Sequence, residues 1–416
     1  MSKVFYRDLT TGQSTSYVEL LKDLTSATHY NLYCRSKDYY VVFKSIVLSL
    51  LLNQEIILLD DDLSQEEVES QVGKIQNSEV LISEVDRVFL SRILTLDELF
   101  ENITKSQKNW RITLFTSGTT GIPKMISHDF TSITRSVKQT NKHTSSVWGF
   151  AYNSTHMAGI QVFFQALLNK NTIVKLFKLG REEILKEIND NKITHISATP
   201  TFYRLLLPVD QVCPSVERLT SGGERFDRKV FESLSRMFPN ASIVNVYAST
   251  EAGTVFASDG DTFSVKPNFK NLVKFENDEL YLHKTIMGSS NTIQLQQNEW
   301  YATGDLIQII SKDPIRFIFI SRKNEMINVG GYKVNPGEVE DVLKMIDGIK
   351  QVRVYGKKNS LLGNIICADI LRTNSEITEL DIRAVLQNKI QDFKIPRVIK
   401  FVESIETTRT GKIKRN

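Results

Sequence analysis

Apolar residues recur at three- and four-residue intervals through YVELLKDLT (17–25) and YYVVFKSIVLSLLL (39–52), which predicts two helices. EIILLDDD (55–62) is a short apolar run that ends in acids, the pattern of a buried strand entering a turn. In SQEEVESQVGKI (64–75), Ser64 stands before Glu66 and Glu67, an N-cap arrangement for a third helix. The alternation resumes downstream with helix 181–191, strand 194–200, helix 226–239 and strand 242–249. Helices alternating with strands specify a layered α/β fold.

The texture changes after about residue 253. TFSVKPNF, LVKFENDELYLH, WYATGDLIQII and RFIFIS are strand-like runs punctuated by turns such as NDE and KDP. They predict a β-rich part over about 254–321. Ser321-Arg322-Lys323-Asn324-Glu325 then makes a charged link. Beyond it lies a compact pattern: helix 336–346, strands 351–356 and 364–371, helix 379–390 and strand 398–404. The expected organisation is a large layered α/β domain, 1–321, hinged to a small mobile α+β domain, 322–416. Clefts between domains are common ligand sites.

Composition narrows the class. With 416 residues, 41% hydrophobic and 24% charged, the chain has the make-up of an ordinary globular protein of two or three domains. A net charge of +4 is thin over this length and gives no reason to expect a nucleic-acid partner. Cys34, Cys213 and Cys367 are odd in number and far apart, so neither a disulfide framework nor a metal spacing follows, and a reducing compartment fits. The start, MSKVFYRD, leads into no signal-peptide apolar region. The longest apolar run, SIVLSLLL (45–52), is too short to span a bilayer. A cytoplasmic protein with no membrane span is expected.

The stretch LFTSGTTGIPKMISH (114–128) carries the first chemistry. Between Thr116 and Lys124 it places the hydroxyls of Thr116, Ser117, Thr119 and Thr120, the glycines Gly118 and Gly121, and a lysine. Glycines let the backbone come close to a ligand, and successive amides can form an anion-binding nest. Lys124 adds a point charge. The loop suits a phosphate chain. It is not a Walker A loop, because Gly118 and Gly121 are too close and Pro123 removes an amide just before Lys124.

Four further motifs keep this loop company: NVYASTEAG (245–253), WYATGDL (300–306), SRKNEMINVGGYKVNPGEVE (321–340) and TRTGKIKR (408–415). In this order and at these spacings the chain resembles the adenylate-forming superfamily of acyl- and aryl-CoA synthetases, nonribosomal-peptide adenylation domains and luciferases. It looks closest to the acid–CoA ligases. The resemblance implies roles for named residues. The loop Thr116–Lys124 would hold the β- and γ-phosphates of ATP. Gly222, Gly223 and Glu224 would form the adenine-side loop, and Tyr247 would stack on adenine. Thr250 would bond the α-phosphate, Glu251 would hold Mg²⁺, and Asp305 would accept both ribose hydroxyls. Arg322 would contact the ribose or phosphate region, with Asn324 as the hinge. Lys412 would reach into the cleft from the small domain. Gly330 and Gly331 would help line the thiol channel. Ala248, Ser321 and Asn324 depart from the usual residues at their positions, and Ala248 is tolerable where its φ is negative.

The same resemblance implies the reaction: ATP-dependent activation of a carboxylic acid as an acyl-adenylate with release of pyrophosphate, then transfer to a thiol. Coenzyme A is the expected acceptor, with the phosphopantetheine of a carrier protein as the alternative and a non-catalytic nucleotide-binding relative as a rival of another class. YNSTHMAGIQVFF (152–164) resembles the acid-pocket segment of CoA synthetases, with His156 and Gly159 matching and Thr155 in place of an aromatic. No aspartate lies in that segment to pair with an α-ammonium, so a non-amino acid is expected. Thr199 is a further pocket candidate.

Overall fold

The computed structural model describes residues 3–72, 82–84, 87–105, 108–116, 124–140, 143–223, 228–291, 293–297, 299–329, 332–359 and 363–406. Helices Tyr17–Thr25 and Tyr39–Leu52 form where the apolar spacing predicts them. In the first, Ser16 and Glu19 close a capping box; in the second, Asp38 caps the start and Asn53, in the left-handed region, ends the helix. Ser64 caps Gln65–Val72 by accepting from the Glu67 amide.

A four-stranded sheet joins Tyr33–Arg35, Ile56–Leu59, β1 (Ile112–Thr116) and β2 (Lys124–His128). β1 and β2 pair antiparallel, with Thr116 opposite Lys124. The glycine-rich loop therefore joins two neighbouring strand ends.

A second sheet of thirteen strands runs through the rest of the large part. Its parallel section includes β3 (Val147–Phe150), followed by helix α1 (Met157–Leu168), then β4 (His195–Ala198), β5 (Arg218–Gly222) and β6 (Ser242–Ser249). Parallel strands need crossover helices on their faces, which bury both sides; all four residues of β4 are buried. β7 (Gly253–Asp259) turns back antiparallel to β6. The β-rich segment then continues the same sheet, including β8 (Trp300–Lys312) and β9 (Ile315–Arg322), which pair antiparallel. Ala248 lies inside β6 and does not adopt positive φ.

Strands between Ile327 and Phe401 make a separate five-stranded sheet, packed by helices Pro336–Lys344 and Glu379–Gln387 around its own apolar core of Val334, Val339, Leu343, Val354 and Ile382. The architecture is thus a large N-terminal α/β domain with a β-rich part and a smaller C-terminal α+β domain. Among the described residues no helix is long and apolar enough to cross a membrane. The three cysteines are buried and free.

Candidate functional site

In an open α/β sheet, ligands gather beyond the carboxyl ends of the parallel strands. A cleft of about 2740 Å³ lies there, and the predicted residues meet on its wall. Thr116 and Lys124 come from the β1–β2 hairpin, Gly222 and Gly223 from the end of β5, and Tyr247, Thr250 and Glu251 from the end of β6. Asp305 comes from β8, Arg322 from the end of β9, and Asn324 from the link that follows. His156 and Thr199 also line it. The expected site residues Ser117, Gly118, Thr119, Thr120, Gly121, Glu224, Gly330, Gly331 and Lys412 lie outside the described residues.

Asp305 is 6% exposed and is held on both carboxylate oxygens. Tyr247 Oη donates to Oδ2 at 2.6 Å, and Arg322 Nε donates to Oδ1 at 2.9 Å. The β8–β9 register places Asp305 opposite Arg322, so strand pairing builds this contact. Gly304, at φ +75°, makes the bend just before Asp305, a conformation that favours glycine. Burial, then the neighbouring Asp305 carboxylate, push the Tyr247 phenol well above its ordinary range, which keeps it a donor. One face of the Tyr247 ring is stacked on Phe319, with centroids 4.5 Å apart.

The Thr250–Glu251 turn is held by three consecutive carbonyls. His128 Nε2 donates to Thr250 O at 2.7 Å, the Gly288 amide donates to Glu251 O at 2.7 Å, and Arg135 Nη2 donates to Ala252 O. His128 stands two side-chain repeats along β2 from Lys124, on the same face of the strand. Burial first, offset in part by the Thr250 carbonyl, lowers the His128 pKa, so the ring is neutral and its Nε2 carries the proton. Burial and the Glu251 carboxylate push Tyr301 up to about 12, with its hydroxyl bonded to Glu251.

Elsewhere on the cleft wall, His156 Nε2 donates to Asp60 Oδ2 at 3.0 Å. Thr155 Oγ1 donates to the other Asp60 oxygen, and Asn153 Nδ2 lies 3.4 Å from it. An aspartate therefore does stand at this segment, brought from the turn after Ile56–Leu59 and engaged by three neighbours. Gly159 does not line the cleft; a Cβ there would run into the Asn153 carbonyl, so close packing of backbone explains the glycine. Thr199 caps the helix Pro200–Leu205 by accepting from the Phe202 amide at 3.2 Å.

Sequence reasoning missed Asp60, Arg135, Tyr301 and Asn245. The first three act through partners remote in the chain. Asn245 lies inside the quoted NVYASTEAG motif; it lines the cleft, and its Oδ1 is buried with no partner among the described residues. A buried acceptor left open in this way is a place for a ligand donor.

The chain matches the family model described as AMP-binding enzyme over residues 44–273, and AMP-binding enzyme C-terminal domain over residues 338–412. The 2-succinylbenzoate--CoA ligase of Listeria monocytogenes is 24% identical over 392 residues, covering 86% of this chain and 82% of that protein. Among solved structures, o-succinylbenzoate CoA synthetase (MenE) from Bacillus subtilis, in complex with the acyl-adenylate intermediate OSB-AMP, has a TM-score of 0.71 at 19% identity, covering 100% of this chain and 94% of that one. ATP-bound MatB from Rhodopseudomonas palustris has a TM-score of 0.74 at 15% identity, covering 99% and 94%. At these identities the solved structures speak to the fold. The family match, spanning more than half of the sequence, goes further: the chain belongs to the AMP-binding enzyme family.

Proposed function

We propose that this enzyme is an AMP-forming acid–thiol ligase for a non-amino carboxylic acid. The observation that carries the reading is the convergence of Thr116, Lys124, Tyr247, Thr250, Glu251, Asp305 and Arg322 on one cleft wall. The chemistry needs such a wall. A carboxylate oxygen attacks the α-phosphorus of ATP, a P–O bond forms, and the bond to pyrophosphate breaks. Both reactants are anions, so cations at their meeting point lower the barrier. Lys124, on the cleft wall, would meet the phosphate chain, and Lys412 would bridge the α-phosphate and the substrate carboxylate. The face of Tyr247 not covered by Phe319 would take the adenine, and Asn245 Oδ1 would accept its amino group. Asp305 keeps lone pairs for the ribose hydroxyls beyond the two donors it already holds.

Among the described residues no three metal-ligating side chains converge. The donor set instead fits a magnesium ion that arrives with the triphosphate, since that ion favours one or two carboxylates plus phosphate oxygens. Glu251, backed by the Tyr301 hydroxyl, would supply the carboxylate. When bound, the ion would offset charge on the phosphates.

In the second step a thiol sulfur attacks the acyl carbonyl of the adenylate, losing its proton, and AMP leaves. Coenzyme A is the proposed thiol. Asp60 is spent on His156, Thr155 and Asn153, which leaves a poor partner for a substrate ammonium. The test is pyrophosphate release across a panel of carboxylic acids with Mg-ATP, followed by mass analysis with coenzyme A and with a phosphopantetheinylated carrier protein. AMP and an acyl-coenzyme A thioester are expected. Silence with every acid, or ADP as the product, would reject the assignment.

A further inference from the structure

Rows of side chains step along one face of the parallel sheet, away from the Thr250–Glu251 turn. β5 contributes Gly222, Thr220 and Arg218 to the cleft wall. The segment through β4 contributes Thr199, Ser197 and His195. Register sets His195 beside Arg218 on one side and Trp148 on the other, so these three make one row across three strands. Gly222 lies four residue steps beyond Arg218 along the strand, or about 13 Å at ~3.3 Å per step. Lys138 and Lys266 line the same cleft, and Lys138 lies within electrostatic reach of both Arg218 and Lys266.

This far end is cationic on balance: Lys138, Arg218 and Lys266 line it, against the single carboxylate of Asp261. No ion pair or side-chain hydrogen bond engages the charged ends of Lys138, Arg218 or Lys266 among the described residues. Partial burial, then Arg218 and Lys266, lower the Lys138 pKa. Burial, then His143 and Arg218, push His195 down to about 4, so it is neutral near pH 7 and adds nothing to the charge of the three cations and Asp261. Like charges gathered at one end of a cleft focus its field on an anion. The wall between the two ends mixes Tyr152, Phe256 and Trp148 with Ser197, Thr220 and Gln161.

We propose that the acid substrate is elongated and carries a second carboxylate, which docks among Lys138, Arg218 and Lys266 while the first is activated beside Lys124. This rests on the adenylation reading and adds the substrate class to it. The test compares pyrophosphate release for adipic, suberic, sebacic and dodecanedioic acids with that for the monocarboxylic acids of equal chain length. It is run on the wild type, on Arg218→Gln, and on the double variant Lys138→Gln/Lys266→Gln, whose two sites are exposed, with thermal unfolding to confirm that each variant is folded. At one length the diacid should exceed its monoacid in kcat/KM by about tenfold or more. Arg218→Gln should cut that ratio by roughly 10- to 100-fold, mainly through KM. The double variant should cut it too. Monoacids preferred at every length, or a ratio unchanged in the folded variants, would overturn the proposal. If no acid releases pyrophosphate, the adenylation reading fails and the subsite is judged by calorimetric titration of sebacic against decanoic acid into nucleotide-free protein. Preference for the diacid that disappears in Arg218→Gln sustains the subsite; equal binding overturns it.

Discussion

Asp305 shows how much one side chain does here. It joins β8 to β9 through Arg322 and fixes the Tyr247 hydroxyl. Asp305→Asn keeps the shape but loses the charge that both partners address. KM for ATP should rise by roughly 10- to 100-fold, from the ~1.5–3 kcal/mol typical of a hydrogen bond to a charged group. An unchanged KM would remove Asp305 from the nucleotide site. His195 makes a separate prediction about stability. Its folded pKa, about 4, lies below the ordinary 6.5, so above pH 6.5 neither folded nor unfolded chain holds the proton. As pH falls from 6.5 toward 4 the unfolded chain takes it up first, and stability is lost over that window. Denaturant midpoints measured across it should fall less steeply in His195→Gln, and an identical slope would contradict the burial argument. At this scale the sequence was legible where candidate residues sit in contiguous turns, as at Tyr247, Thr250 and Asp305, which line one cleft. It was opaque where a contact spans the chain, as between Asp60 and His156, which are 96 residues apart. Gly159 was expected in the acid pocket by resemblance, but it lies off the cleft wall, against the Asn153 carbonyl.

Elements were read well because their signals are local. The apolar period and the Ser64 cap place the early helices, to which the structure adds caps at Ser16 and Asp38, while the shift to strand-like runs after residue 253 marks the antiparallel strands. What no period carries is how elements brace one another. β2 holds Lys124 at one end and His128 at the other, and the imidazole grips the turn that presents Glu251. His128→Leu should weaken Mg-ATP binding about tenfold, in line with the loss seen when the groups that support metal-holding side chains are removed. His128→Gln, which keeps a donor, should restore part of it, and binding of ATP in EDTA should change little. Equal losses with and without magnesium would make His128 a general fold residue. The link after β9 is likewise divided by its contacts. The Lys323 amide donates to Gly304 O at 2.8 Å and its Nζ meets Glu279 at 3.1 Å, so the large sheet holds the chain through Lys323. The first residue past that anchor is Asn324. Asn324→Pro should slow thiol transfer more than adenylation in single-turnover experiments. A thiol-transfer rate equal to wild type would move the pivot elsewhere.

For the whole molecule, the sequence revealed the two-part organisation through the charged link and the renewed α/β texture beyond it. It did not reveal that the β-rich segment would share one sheet with the parallel strands, because strand order is set by long-range pairing. The assignment of Lys412 also belongs here, since it requires the small domain to deliver a cation to a distant nucleotide. Lys412→Ala should lower adenylation by ~10²–10³ yet leave thiol transfer from supplied acyl-adenylate nearly intact. Parallel losses in both steps would argue against a small domain that serves them by turns. The unbroken sheet has a thermal consequence. β6 and β7 hydrogen-bond across the junction between parallel and antiparallel sections, so neither section can melt and leave the other's edge intact. Among the described residues, the strands from Ile327 onward share no ladder with them. Heating should therefore separate the protein into two cooperative blocks rather than three, and nucleotide bound at the proposed site beside the β6–β7 turn should raise the melting point of the larger block as a single unit.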